Sequence, residues 1–250
     1  MIRTLTLAAA AAAVLATAPA QAIEFGNMSE AERADFHAAI REYLLENPEV
    51  LMEAIAVLEA REAEEAEAAA LTMVGDNADA IFNDGHSFVG GNPEGDLTVV
   101  EFVDYRCGFC RRAHPEVAEL VSSDGNIRTI TKEFPILGDE SVEASRFAIS
   151  TLQNAGPEAY KMVSDALITR RGDFSRDALA RLAGDLDLDS DTIIAGMDAE
   201  AVDAVIAENR ALAQRLQISG TPTFVIGDQM VRGYLPLDGM RQVVAEERAE

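Results

Sequence analysis

The sequence predicts an α/β fold that carries an inserted all-α segment and is preceded by a helical hairpin and stalk. Three observations predict it. Residues 97–103, LTVVEFV, and 127–134, IRTITKEF, have the composition and alternation of strands, with helical spacing between them. Residues 139–216 form one long helical block before the next strand signal. Residues 29–71 differ in composition from everything after them. Strand, helix, strand, helical insert, hairpin and helix make an α/β order.

The chain opens MIRTLTLAAAAAAVLATAPAQA. Arg3 supplies a short positive start, Leu5 to Ala18 is apolar or small throughout, and Ala20-Gln21-Ala22 has the small-x-small form of a cleavage site. The apolar run is too short and too alanine-rich to span a bilayer comfortably. Residues 1–22 are therefore expected to be a signal peptide. The mature chain is expected to be periplasmic, in an oxidising space where disulfides form and persist.

Residues 23–75 are expected to be a helical oligomerisation segment and stalk, and residues 76–250 the main domain. Ser29-Glu30-Ala31-Glu32 is a capping box, and Phe36, Ile40, Tyr43 and Leu44 follow at helical spacing. Asn47-Pro48 predicts an N-cap and first position for a second helix, with Leu51, Ile55 and Leu58 as its apolar stripe. The stripe fades into AREAEEAEAAA at 60–70, which favours helix but has no core face. A pair this small buries little surface by itself. The stalk favours packing of residues 28–72 against copies of the same segment. Gly75 to Asp79 ends the stalk.

The main domain starts near Ile81. After the first strand, Cys110 to Val121 has helical spacing, with a kink expected at Pro115. In the block at 139–216, Pro157 and Ser175 are start signals, and Gly156, Gly172 and Gly184 are breaks. Thr223 to Ile226 and Met230 to Arg232 flank a Gly227-Asp228 turn as a hairpin, and a last helix runs from about Leu237.

Asp and Glu number 44 against 20 Lys and Arg. That balance excludes nucleic acid as a partner, since phosphate neutralisation needs clustered cations. It also argues against an anionic membrane surface, and is read as solubility and self-avoidance.

The chain has two cysteines, Cys107 and Cys110, in DYRCGFCRRAHPEV at 104–117, where a strand ends and a helix begins. As a staple, a disulfide across so short a loop gives roughly 2 kcal/mol in the chain-entropy model, which a domain with a full core hardly needs. Structural zinc takes four ligands. The three histidines are His37, His86 and His114, and only His114, one helical turn past Cys110, could join the pair. No metal cofactor is therefore expected. For redox chemistry, a helix N-terminus favours an anion and would hold Cys107 as thiolate, with Cys110 shielded one turn further in. His114 is otherwise an ordinary partly exposed helix residue. Arg106, Arg111 and Arg112 either lower the thiol pKa or are solvated, the second reading being preferred for Arg112.

TVVEFVDYRCGFCRRAHPEV together with ISGTPTFVIGDQMVRGY resembles the thioredoxin-fold disulfide oxidoreductases of the DsbA family over residues 81–248. EYLLENPEVLMEAI and its stalk, residues 28–72, resemble the ScsC-like and related isomerase-type members, in the best known of which a similar segment forms a homotrimer. The resemblance implies a thioredoxin fold with the α-helical insert at 139–216. It implies that Cys107 attacks, that Cys110 resolves, and that a Cys107–Cys110 disulfide is the redox centre in place of any cofactor. It implies that Thr221-Pro222 is a cis-proline loop whose backbone faces the sulfur and pairs with substrate. Glu101, six residues before Cys107, matches a buried acid that takes or relays the proton of Cys110; the other reading of Glu101 is an outward-facing strand residue. Phe109 is expected in an apolar patch that receives substrate. The strongest oxidants of the family carry histidine between the cysteines, and this chain has Gly108-Phe109, so a higher thiolate pKa and a less oxidising disulfide are expected.

The function expected is a thiol–disulfide oxidoreductase acting on exported cysteine-containing proteins. The isomerase or reductase version is favoured by the N-terminal helices, since several sites on one oligomer raise effective concentration. A DsbA-type oxidase, recharged by a membrane redox partner, is the alternative. A Cu(I)-binding thiol protein linked to copper tolerance is a third reading.

Overall fold

The structure is a computed structural model that describes residues 28–249. The expected signal peptide, residues 1–22, lies outside the described residues. The chain divides into two compact units, one ending at Arg61 and the other beginning at Glu62.

In the first unit, helix α1 spans Glu30–Glu46 and helix α2 starts at Glu49, running to Asp76. The capping box forms as expected: Ser29 Oγ accepts from the Glu32 amide at 3.3 Å, and the Ser29 amide donates to Glu32 Oε2 at 2.9 Å. Asn47 corrects the sequence-based expectation. Its side-chain amide donates to Tyr43 O at 2.9 Å and its backbone amide donates to the same carbonyl at 2.8 Å. It therefore closes α1 instead of capping α2, because the orphan carbonyls at a helix end take whichever donor is nearest. No residue of α1 is buried. Tyr43 is 55% exposed, Leu51 49%, Ile55 46% and Leu58 56%.

The second unit takes the end of α2. Ala70 and Val74 are 7% and 2% exposed, and Val74 joins Ile81, Val100, Phe102 and Leu216 in one core cluster. The end of the stalk thus has a core face, and the expected division at residue 76 falls inside the compact unit. A short helix α3, Ala78–Phe82, follows. The sheet consists of β1 (Phe88–Gly91), β2 (Leu97–Val103), β3 (Ile127–Glu133), β4 (Thr223–Ile226) and β5 (Gln229–Arg232), in the order β1-β3-β2-β4-β5. β2 and β3 are parallel, and every other neighbouring pair is antiparallel. Sequence patterning misses β1. It is four residues long, ends in two glycines, and is defined by its pairing with β3, Phe88 lying opposite Thr131.

Helix α4 (Gly108–Asp124) crosses from β2 to β3 and continues through Pro115 as helix. The insert resolves into α5 (Asp139–Thr169), α6 (Arg176–Asp185), α7 (Ser190–Gly196) and α8 (Glu200–Arg215), and α9 (Leu237–Glu247) ends the fold. Gly156, at φ 84°, interrupts α5 just before Pro157, a left-handed backbone that glycine adopts without a Cβ clash. Ser175 caps α6 by accepting from the Ala178 amide. Gly184 lies in the last turn of α6, and the block breaks just after it, with Asp187 at φ 56° and its amide donating to Gly184 O at 3.1 Å.

Alternation along β2 divides the core. Val100 and Phe102 face Leu212 and Leu216 around α8, while Leu97 and Val99 belong with Ala113 and Leu120 of α4 and Met240 of α9. Burial at roughly 1.5–3 kcal/mol per large apolar side chain drives both layers. The insert is tied to the sheet by a polar contact as well. Glu133, at the end of β3, is 3% exposed. Its Oε1 accepts from the hydroxyls of Tyr105 and Tyr160, each at 2.6 Å, and its Oε2 accepts from Ser145 Oγ at 2.7 Å. Burial pushes this carboxyl up to about 7 despite those donors. Replacing Glu133 by Ala removes the shared acceptor of three hydroxyls in the core, of which Tyr105 keeps a contact to Ser164 Oγ at 3.2 Å. A loss of about 3 kcal/mol or more is expected in urea unfolding; an unchanged midpoint would show that this cluster does not hold the insert.

Candidate active site

Helix α4 begins at the cysteine pair. Cys107 is its N-cap, with extended backbone, and its Sγ accepts from the Cys110 amide at 3.4 Å. The residue is 6% exposed and Cys110 is 0% exposed, and both are free thiols. The turn that delivers them is fixed by Asp104, itself fully buried. Its carboxylate accepts from the amides of Arg106, Ile136 and Leu137 at 2.8, 2.8 and 3.0 Å and from Ser141 Oγ at 2.8 Å. One side chain thereby ties the cysteine loop to the start of α5. Sequence reasoning gave Asp104 no role, although an acid directly after a buried apolar strand was the available signal.

Thr221 and Pro222 come from the loop before β4, and the bond between them is cis. The Cys107 thiol donates to Thr221 O at 3.1 Å, so two segments 114 residues apart meet at the sulfur. Phe109 is 60% exposed and stacks on Tyr234 with ring centroids 6.4 Å apart. Arg112 lies 4.5 Å over the other ring of that pair, Tyr234, a cation–π contact. The remaining arginines are engaged elsewhere. Arg106 pairs with Glu140 at 2.6 Å, and Arg111 donates to the carbonyls of Ile168 and Arg170 at 2.9 and 3.0 Å. Arg111 therefore closes the end of α5.

The two thiols are driven apart electrostatically. Donation from the Cys110 thiol, helped by the amides of Cys110 and Phe109, lowers Cys107 to about 5 against the cost of burial. The Thr221 contact found at the sulfur runs to a carbonyl oxygen, which accepts from the thiol and cannot steady a thiolate. The lowering is therefore credited to the Cys110 and Phe109 donors. Cys110 is raised far above the ordinary thiol range by that same hydrogen bond, by burial and by the charge of Glu101. A value of about 5 for Cys107 lies between the roughly 3.5 of DsbA and the roughly 7 of thioredoxin.

β2 carries Glu101 on the same face as Val99 and Val103, beneath α4, where it lines a cavity together with Cys110. Burial, then the charges of Cys107 and Glu133, raises its carboxyl to about 8. Glu101 is partly exposed, and its exposure is into this cavity between β2 and α4. His114 stands at the same cavity, with its Nε2 3.1 Å from Asp165 Oδ1. Among the described residues no cluster of three or more His, Cys, Asp or Glu is arranged to hold a metal ion.

A family profile described as Thioredoxin matches residues 83–246, and one described as Copper resistance protein ScsC N-terminal domain matches residues 32–65. Among solved structures, a thioredoxin-like oxidoreductase from Silicibacter pomeroyi is 41% identical, with 69% of this chain and 98% of that chain covered and a TM-score of 0.64. The thiol-disulfide exchange protein alpha-DsbA2 from Wolbachia pipientis is 27% identical, covering 71% and 95%, with a TM-score of 0.67. Proteus mirabilis ScsC in a transitional conformation is 26% identical, covering 89% and 99%, with a TM-score of 0.64. The chain also matches the Na(+)/H(+) antiporter NhaA 1 of Salinispora arenicola at 29% identity over 157 residues, 62% of this chain and 24% of the antiporter. It thus spans about a quarter of the length of that curated relative. No helix among the described residues is long and apolar enough to cross a membrane.

Thiolate absorbance of the reduced protein is expected to titrate with a midpoint of about 5, from Cys107 alone; a midpoint near the ordinary thiol value would contradict the geometry. Glu101→Gln gives a second check. A carboxyl raised to about 8 makes the folded state bind more protons than the unfolded one between its ordinary value and pH 8. Stability then falls as pH rises through that window. The Gln variant lacks this penalty, so its stability relative to the parent should grow from pH 5 to pH 8 in urea titrations. A pH-independent difference would remove the assignment.

Proposed function

The chain belongs to the thioredoxin family, and from that premise we propose that it is a periplasmic thiol–disulfide oxidoreductase, working as an isomerase or reductase on exported cysteine-containing proteins. The observation that carries the reading is the asymmetric pair, with Cys107 capping α4 beside Thr221 O and Cys110 sealed one turn behind it.

The chemistry follows from that asymmetry. The Cys107 thiolate attacks one sulfur of a substrate disulfide, forms a mixed disulfide, and releases the other sulfur as a thiolate. In isomerisation that freed thiolate, or another substrate thiol, attacks within the substrate and expels Cys107 unchanged. If the mixed disulfide stalls, Cys110 gives up its proton to Glu101 and attacks Cys107 Sγ. The Cys107–Cys110 disulfide forms and the substrate thiolate leaves, so the substrate is reduced by two electrons. While the substrate sulfur is bonded to Cys107, the backbone at Thr221 and Pro222 offers a strand to pair with, and Phe109 with Tyr234 offers an apolar surface.

Residues 28–72 are proposed to assemble the chain as a homotrimer. Support comes from the match to the ScsC N-terminal domain and from α1 and α2, whose apolar stripe lies exposed in the single chain. Several sites on one assembly raise the effective concentration of thiolate near a misfolded chain. A second reading, a DsbA-type oxidase served by a membrane redox partner, draws on the lowering of Cys107 to about 5. A stabilised thiolate favours the reduced form and makes the disulfide more oxidising.

Reactivation of a scrambled disulfide substrate separates the two. The reduced chain from residue 23 is expected to reshuffle it. A version beginning at Glu62, which keeps the core residues Ala70 and Val74, is expected to lose most of that activity while still reducing a small disulfide. If neither version reshuffles and the oxidised form donates its disulfide readily, the oxidase reading replaces the isomerase one.

A further inference from the structure

The cavity under the cysteines has a volume of about 330 Å³ and runs from core to surface. Its inner end is bounded by Cys110, 0% exposed, and Tyr160, 1% exposed. At the outer end stand His114, Lys161 and Asp165, whose side chains are 30%, 54% and 42% exposed. Cys110, His114, Val117 and Val121 of α4 lie along one helical stripe above it, and Val99, Glu101 and Val103 form its floor. Among the described residues no protein donor reaches the Glu101 carboxyl, so its polar environment is whatever the cavity holds. A volume of that size takes on the order of ten waters, each needing about 30 Å³ in bulk. Glu101, Thr131, Ser164 and His114 supply polar partners along its length.

We propose that this cavity is the proton exit of the resolving thiol, with Glu101 receiving the proton of Cys110 at the inner end and His114, oriented by Asp165, passing it to solvent at the outer end. The inference rests on the exchange chemistry proposed above. Resolution liberates one proton per disulfide formed: Cys110–SH and the mixed disulfide become the Cys107–Cys110 disulfide, a substrate thiolate and a proton. Cys110 is sealed from solvent, so the proton cannot leave directly. The charged and titratable groups facing Glu101 are Cys107, Cys110 and Glu133, and those facing His114 are Asp165 and Lys161. Burial lowers His114 against the pull of Asp165, which leaves a neutral imidazole able to accept near pH 7. Lys161 also pairs with Asp165 and marks the mouth. His114 and Asp165 act through Glu101 and not on sulfur, so both are positioning residues.

The test uses the reduced chain from residue 23 and dithiobis-nitrobenzoate in stopped flow. Attack by Cys107 releases a first thionitrobenzoate, and attack by Cys110 on the mixed disulfide releases a second. In His114→Ala the second phase, measured relative to the first, is expected to slow about tenfold in dilute buffer and to recover when imidazole is added. Asp165→Asn should slow it less, and the unaltered protein should ignore imidazole. A second phase in His114→Ala equal to that of the unaltered protein would overturn the proposal. So would a slowed phase that imidazole does not restore, since a purely structural defect has that signature. If the unaltered protein shows no second phase at all, the exchange reading fails first and the proton route falls with it.

Discussion

The thiolate of Cys107 is the constraint around which the site is organised. A sulfur that is 6% exposed can ionise only with donors at hand, and the first turn of α4 supplies them through the amides of Cys110 and Phe109 and the thiol of Cys110. Each donor has to be aimed, which requires the strand-to-helix turn to be rigid. The four hydrogen bonds accepted by Asp104 provide that rigidity by joining the turn to the segment that opens α5. The same geometry that lowers one thiol raises the other, because the proton shared between them can sit on only one sulfur. The pair is therefore divided into a thiol of lowered pKa and one of raised pKa by a single hydrogen bond and a difference in burial.

That division has a cost in the core. Glu101 and Glu133 sit in the same region, and each is held above the ordinary carboxylate range by burial. They meet that cost differently. Glu133 is saturated with three hydroxyl donors and fastens the insert to β3. Among the described residues Glu101 receives no donor, and it faces a cavity. Saturation makes the first carboxyl a structural member. Its absence leaves the second free to change protonation during a reaction, which is the property a proton acceptor needs. Lys132 offers the contrasting solution, a fully buried ammonium paired with Asp84 at the other face of the sheet and unconnected to the sulfur chemistry.

The N-terminal unit obeys a different economy. Its first helix is well capped, yet α1 buries nothing in the single chain. Helical propensity and a capping box fix the local conformation of such a segment, and they leave its apolar stripe in search of a surface. In the proposed homotrimer that surface is the same stripe of identical copies, which would bring several thiolates into one assembly. Placing a redox domain on a long helix that begins in one compact unit and ends in the core of another makes α2 the covalent route between the two.

Features that depend on local chemistry can be read from neighbouring residues alone. Strand and helix periods, the Ser29 box, the Gly156-Pro157 break and the Gly227-Asp228 hairpin are all written in neighbouring residues, and the structure repeats them. The position of the CGFC stretch at the mouth of a helix is also legible in sequence, and the family resemblance points to Thr221-Pro222 and Glu101, which the fold brings next to the cysteines. Tertiary structure decided everything that depends on residues meeting across the chain. β1 exists because β3 pairs with it, Asn47 turns backward because Tyr43 O is unsatisfied, and Ala70 and Val74 of a polar stalk become core because a sheet lies beneath them. Asp104, Tyr105, Glu133 and Tyr160 look like scattered polar residues in sequence. They form one buried site because the fold removes water from all of them together, and a polar group taken from water has to find its partners in whatever the fold brings near.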